Sequence, residues 1–220
     1  MGKLTKNQIL ETAYQEFLDI GYEKTTLRHL SSKLNVTHGN ILYHFKGKDF
    51  IALDILRKYF DLWFISSDIF SDPETRKRFN KNYVFQTIVH FSYMVTHPEF
   101  ARFYTDFLRA GSSLFVDQFK AYFTNFVDSL DNTDYFQQLI KQEMDVLLIV
   151  EANTKLVSFI LNGQTTVREA SIYLYNLLNL FWDLGKSISQ IEEEVEEALR
   201  EQSRVEKVSR FIETEMLRFE

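Results

Sequence analysis

The sequence predicts an all-α fold: an amino-terminal helix-turn-helix unit over residues 1–47, then a larger helical domain over residues 48–220. Three observations predict it. Helix breakers are scarce, with 2 prolines and 7 glycines in 220 residues, and they punctuate the chain at helical lengths. Apolar residues recur at three- and four-residue spacing, and no segment alternates as a half-buried strand would. Hydrophobic residues make up 45% of the chain, enough for a sizeable core.

The elements follow in order. Thr5-Lys6-Asn7-Gln8 is a capping box, and Ile9, Ala13, Phe17 and Ile20 then keep helical spacing as far as Gly21. Thr25 and Thr26 offer the next cap, before the short stripe Leu27, Leu30, Leu34. Asn35 suits a tight turn because asparagine tolerates positive φ. Thr37 caps a third short helix that ends near Gly47, and a long aromatic helix runs from Lys48 to about Phe70. Asp72-Pro73 reads as a cap with proline at the first helical position, and the helix it opens ends at His97-Pro98. Further helices are expected from Pro98 to Arg109, from Ser112 or Ser113 to about Leu130, and, after a turn at Asp131 to Asp134, from Tyr135 to Leu161. Asn162-Gly163 closes the last of these. Capping boxes at Thr166 to Glu169 and at Ser189 to Glu192 open the final two, giving nine or ten helices.

Composition narrows the function classes. There is no cysteine, hence no disulfide and no thiolate chemistry, which fits a reducing compartment. The start has no apolar signal core, and no run is long and apolar enough to span a bilayer, so a cytoplasmic protein with no membrane partner is expected. Net charge is −6, yet residues 1–60 hold nine Lys/Arg against six Asp/Glu, while the other 160 hold 16 against 25. That asymmetry assigns different work to the two parts. His38 and His44 lie on different helix faces, and His90 and His97 lack a third ligand, so no metal site is predicted. No catalytic constellation and no phosphate-cradling loop appears; neither enzyme activity nor a cofactor is expected.

The stretch NVTHGNILYHFKGKDF at 35–50 pairs little apolar surface with much polar surface. Two short helices joined by a tight turn, with a third helix before them, make a helix-turn-helix, whose second short helix enters a major groove. Val36, Ile41 and Phe45 point inward with Leu30 and Leu34. His38, Gly39, Asn40, Tyr43 and His44 remain for the other side. Gly39 sacrifices helix propensity and removes a side chain where backbone could approach DNA.

On these residues the first 57 positions resemble the DNA-binding domain of the TetR family of transcriptional regulators. The matching pieces are Phe17, Gly21-Tyr22 and Thr25-Thr26, then Leu30, Leu34 and Val36-Thr37, then Gly39-Asn40-Ile41, Tyr43-His44-Phe45-Lys46 and Lys48. The family's frequent Tyr is Leu42 here, its turn Gly is Asn35, and its small Ala is Ser31. The resemblance implies that Thr26, Thr37 and Lys48 contact phosphates and that Arg28, His38 and Asn40 face base edges. Tyr43 and His44 would meet backbone or thymine methyls, with Gly39 and Lys46 in the same surface. Arg with guanine and Asn with adenine are the pairings geometry favours.

Nine Phe/Tyr occupy the thirty-one residues from Phe100 to Leu130. Most must be core, but ring-rich cores also build cavities. The resemblance implies a small-molecule effector there, and the residues expected around it are Tyr59, Trp63, Phe91, Phe107, Phe123, Tyr175 and Asn179. Asn176, Asn179 and Asp183 form a polar stripe open to three readings: water, pocket or dimer seam. The final segment repeats Ile188, Ile191, Val195, Ala198, Val205, Ile212 and Phe219 near heptad spacing. By family analogy the last two helices form a homodimer bundle, through Leu177, Phe181, Ile191, Val195, Val205 and Ile212. The function expected is a dimeric, effector-responsive regulator of double-stranded DNA, a repressor on a near-palindromic operator. The alternatives are an activator on the same fold and a helical binding protein with a vestigial helix-turn-helix.

Overall fold

The computed structural model describes residues 4–70, 79–110, 143–182 and 184–219, with side chains for all but 64–70, 79–82, 143–146 and 182. The expected cap at Asp72-Pro73, the helix at 112–130, the turn at 131–134, the start at Tyr135, and Phe123 and Asp183 lie outside the described residues. Every regular element among the described residues is an α-helix. The amino-terminal three are α1 (Lys6–Asp19), α2 (Leu27–Lys33) and α3 (His38–His44). There follow α4 (Lys48–Phe70), α5 (Phe79–Thr96), α6 (98–110), α7 (Glu143–Leu161), α8 (Val167–Trp182), α9 (Ile188–Leu199) and α10 (Gln202–Met216).

Local chemistry sets most of these boundaries. Thr5 Oγ1 accepts from Gln8 N while Thr5 N donates to Gln8 Oε1, which closes the capping box of α1. Gly21 ends the α1 corner at φ +93°, a region that excludes most side chains. Asn35 adopts φ +52° in the α2–α3 turn. Thr166 and Glu169 form the expected reciprocal box at the start of α8.

Two boundaries differ from expectation. The cap of α9 is Ser187 with Gln190, two residues before the predicted Ser189 and Glu192. The final segment is also two helices: the ladder breaks at Glu201, whose ψ of +30° leaves the helical well. No Gly or Pro lies between Gly185 and Glu220 to announce that break.

The core is organised on α5, which packs against α4, α7, α8, α9 and α10. Its residues from Tyr83 to Phe91 are all buried, as expected of a helix covered on every side. α1 packs on α2 and α4, and α2 on α3, so α4 joins the amino-terminal unit to the rest.

One expectation is corrected here. Ile191, Val195, Val205 and Ile212 are buried within the chain itself, because α9 packs on α5 and α10 on α4 and α5. Their stripe serves this chain's own core and is not presented to a second copy. The large apolar side chains left exposed include Tyr173 and Leu180 on α8, with Ile188 at the start of α9.

Candidate functional site

The site begins with two helix caps. Thr26 Oγ1 accepts the backbone N–H of His29 at 3.1 Å and starts α2. Thr37 starts α3 differently: its N–H and its hydroxyl both donate to Asn40 Oδ1, at 3.0 and 2.5 Å. That pairing identifies the oxygen end of the Asn40 amide, since a backbone N–H needs an acceptor. The Nδ2 group is left without a partner among the described residues, on an exposed residue.

Packing fixes the orientation of α3. Ile41 and Phe45 are buried, and Leu34 and Val36 pack partly buried beside them. Thr26, Arg28, Thr37, His38, Gly39, Asn40, Tyr43 and Lys46 are exposed. Tyr43 is 78% exposed, and exposed Leu42 sits next to it. Glu16 is buried on the other side of α2, where it pairs with His29 and with Lys33 at 2.8 Å. The Lys33 ammonium holds the Glu16 carboxyl below its usual range. An acid that would oppose phosphate is therefore neutralised inside the unit, and Arg28 remains outward.

Two predicted contacts turn inward instead. His44 Nε2 donates to the carbonyl of Leu4 at 3.1 Å, fastening the amino-terminal arm to α3. Lys48 Nζ donates to the carbonyl of Tyr22 at 2.8 Å and sits 4.0 Å from the centre of that ring. Burial lowers the Lys48 pKa from the usual lysine value. In this form Lys48 is a clamp within the protein, not a free phosphate ligand, which corrects the sequence expectation. The cause lies 26 residues away, beyond the reach of local pattern.

The residues expected around an effector separate into three places. Tyr59, Trp63 and Phe91 lie around His90, a buried residue of α5 that faces α4. Phe107 lies elsewhere, edge-on to Tyr22 of the amino-terminal unit at 5.5 Å between centroids. Tyr175 donates to Glu194 Oε2 at 2.6 Å and so ties α8 to α9. Asn179 is corrected: its Nδ2 donates to Lys186 O (2.9 Å) and its Oδ1 accepts from Lys186 N (3.1 Å), so the amide closes the α8–α9 loop.

Sequence reasoning missed Tyr104 and Asn153, which join a polar network at His90, and Gln86, buried one helical turn before it. The signal was present as a Gln and a His at i, i+4 within the run 83–91, where Thr87 is the one other polar residue. His90 itself is pushed down to about 4 by burial, against a smaller upward effect of the Asn153 hydrogen bond, and is neutral at physiological pH. Among the described residues no group of three His, Cys, Asp or Glu is placed to hold a metal ion, and no helix is long and apolar enough to cross a membrane.

Known proteins resemble this arrangement in part. Residues 9–55 match the family described as bacterial regulatory proteins, tetR family. The HTH-type transcriptional regulator RutR of Escherichia coli O157:H7 is 23% identical over 123 residues, 56% of this chain and 57% of that protein. RutR of Escherichia coli strain K12 is 24% identical over 113 residues, 51% of this chain and 52% of that protein. The chain thus spans about half the length of the curated relatives it matches. A TetR-like transcriptional regulator from Rhodococcus sp. RHA1 superposes with a TM-score of 0.42 at 17% identity, covering 78% of this chain and 92% of that one.

Proposed function

We propose that this chain, whose helix-turn-helix domain belongs to the tetR family of bacterial regulatory proteins, is a homodimeric repressor that a small, largely apolar or aromatic effector releases from a near-palindromic operator. The observation that carries the reading is the outward face of α2 and α3. Arg28, His38, Asn40 and Tyr43 stand exposed there while Ile41 and Phe45 anchor the helix from behind. A helix presenting base-edge and phosphate donors on one face and only anchors on the other is built to lie in a major groove. Residues 1–47 form the DNA-reading domain in this reading, and 48–220 the effector and dimer domain. The protein acts in the cytoplasm, without a cofactor and without catalysis.

Dimerisation follows from what a single recognition helix lacks. One half-site gives few contacts, and two half-sites roughly 34–36 Å apart place two helices in successive grooves. The α8 surface supports a pairing face: Tyr173, Leu177 and Leu180 fall at i, i+4, i+7, with Tyr173 and Leu180 exposed and Leu177 partly so. Release by effector requires a differential affinity of the ligand for the two dimer states. The ring-rich interior around His90 supports an apolar or aromatic ligand.

A mobility-shift assay on the DNA upstream of the protein's own gene tests the reading. A sequence-specific complex that resists competitor DNA supports it; binding indifferent to sequence removes it. Transcript levels of neighbouring genes rise in a deletion strain if the protein represses, and fall if it activates.

A further inference from the structure

The polar core on α5 pairs a satisfied hydrogen-bond network at His90 with an unmet donor at Gln86. His90 lies between two partners: the Tyr59 hydroxyl reaches Nδ1 at 2.8 Å and Nε2 meets Asn153 Oδ1 at 3.2 Å. The Tyr104 hydroxyl donates to the same Asn153 oxygen at 3.0 Å. Since that oxygen only accepts, Nε2 carries the histidine proton, and Nδ1 accepts from Tyr59. The chain from Tyr59 through His90 and Asn153 to Tyr104 is thereby satisfied. None of its members carries a charge at neutral pH, because burial keeps His90 deprotonated.

Gln86 stands one helical turn before His90 on the same face of α5. It is 2% exposed, and its Nε2 has no hydrogen-bond partner among the described residues. The Trp63 indole N–H holds the Gln86 backbone carbonyl at 3.0 Å, which anchors this turn of α5 to α4. The Trp63 ring lies 5.4 Å from that of His90, with Tyr104 5.5 Å away on another side. Two N–H donors are therefore buried with no acceptor for them among the described residues. An unmet buried donor bears its full desolvation penalty, and native proteins tolerate few of them.

We propose that Gln86 is the recognition residue of the effector site, and that the site takes a neutral, ring-containing molecule presenting a hydrogen-bond acceptor, such as a carbonyl or nitro oxygen, to Gln86 Nε2. This rests on the ligand-responsive reading above and narrows its ligand class. A pure hydrocarbon leaves the amide unmet. A cation or an anion brings an uncompensated charge into a cluster of neutral groups. A neutral acceptor satisfies the amide while its ring packs against Trp63 and the neighbouring tyrosines.

The test uses the full-length protein and matched compounds on phenyl and naphthyl rings: the methyl ketone, the ethyl hydrocarbon, the carboxylate and the aminomethyl cation. Affinity is measured by calorimetry on the parent and on Gln86→Met, which keeps the length of the side chain and removes both donors. The ketones are expected to bind the parent about tenfold more tightly than the hydrocarbons, the step a single neutral hydrogen bond gives, and the substitution should erase that difference. Without any ligand, Gln86→Met should melt at or above the parent temperature, since it removes an unmet donor. Preference for the hydrocarbon or a charged member, ketone binding unchanged by the substitution, no binding by any member, or a lower melting temperature in the ligand-free variant overturns the proposal. The DNA arm is separate. Acceptor-dependent binding that never releases operator leaves the Gln86 site standing and removes the effector reading; operator release indifferent to Gln86 does the reverse.

Discussion

Phe103 of α6 stacks on Phe17 of α1, with ring centroids 5.0 Å apart and planes 12° from parallel. Around this pair, Phe107 meets Tyr22 edge-on, and Arg102 donates to the carbonyl of Leu18 at 2.5 Å. The amino-terminal unit is thus docked on α6 through rings on one side and a guanidinium at the end of α1 on the other. A displacement of α6 reaches Tyr22 directly, and Tyr22 holds Lys48 at the head of α4. Phe103→Leu should cost about 1–1.5 kcal/mol, as volume-tolerant core exchanges do, whereas Phe103→Ala should cost about 3–5 kcal/mol. In the leucine variant, fluorescence anisotropy should show a smaller difference in DNA affinity between the effector-loaded and free protein. An unchanged difference would mean that the stack transmits nothing.

In the proposed reading Asn40 does two jobs with the two ends of one amide, its oxygen capping α3 and its nitrogen facing DNA, and a single substitution separates them. Asn40→Asp keeps the acceptor for Thr37 N–H and adds a negative charge where the helix dipole welcomes it. Its melting temperature should equal or exceed the parent's. Its operator affinity should fall by on the order of 1–3 kcal/mol or more, because the free Nδ2 donor is gone and a charge now faces DNA. A variant that loses stability and retains DNA binding would reverse both assignments.

Lys48 and Arg28 make a contrasting pair. Lys48→Met removes a charged donor from the Tyr22 carbonyl and should lower stability by about 1–3 kcal/mol, with the salt dependence of DNA binding unchanged. Arg28→Ala should leave stability alone and cost on the order of 1–3 kcal/mol of operator affinity, with relaxed specificity at one base position per half-site. Titrations at several salt concentrations, on the operator and on single-base variants of it, check both. A reduced slope for Lys48→Met would return that residue to the phosphate contacts.

The same contrast explains how far sequence reached. The capping boxes at Thr5 and Thr166, the turn at Asn35 and the ends at Gly21 and Gly163 were legible because each rests on contacts within four residues. The face of α3 was legible because Ile41 and Phe45 mark its back. The stripe through Ile191, Val195, Val205 and Ile212 was read as a dimer seam, since periodicity identifies an apolar face but not which chain covers it. Lys48 and Asn179 were assigned to ligands because their partners, Tyr22 and Lys186, are set by tertiary packing and loop closure. Gln86 and His90 were hidden by the same limit: their meaning depends on Tyr59 and Asn153, far apart in the chain.

His90 makes stability depend on acid. Its folded pKa of about 4 lies below the ordinary 6.5, with burial as the main cause. A base depressed in this way contributes nothing adverse above pH 6.5; as pH falls from there toward 4, the unfolded chain takes up a proton that the folded chain refuses. The loss over that window amounts to about 3 kcal/mol, from 1.36 kcal/mol per pKa unit. His90→Gln should flatten this part of the profile, so the difference between parent and variant in urea unfolding should change between pH 7 and pH 4. Every other ionisable group is common to both proteins and cancels in that difference. Parallel profiles would show that His90 is protonated in the fold or reached by water.

The exposed face of α8 gives the last prediction. Leu180 is 75% exposed and Tyr173 60%, so a charge at either leaves this chain's own core intact, whereas Ile191 is fully buried against it. Leu180→Glu should therefore yield a folded monomer, with helical content and thermal unfolding near those of the parent at equal protomer concentration apart from the lost association energy. Ile191→Glu should instead unfold the protein, since it buries an unpaired carboxylate. Sedimentation velocity separates monomer from dimer, and circular dichroism separates folded from unfolded. Operator affinity should fall with the dimer in Leu180→Glu, because a lone recognition helix spans one half-site. A Leu180→Glu protein that sediments as an intact dimer would exclude the Tyr173, Leu177 and Leu180 stripe from the pairing face. A folded, dimeric Ile191→Glu protein would show that α9 is not part of the core.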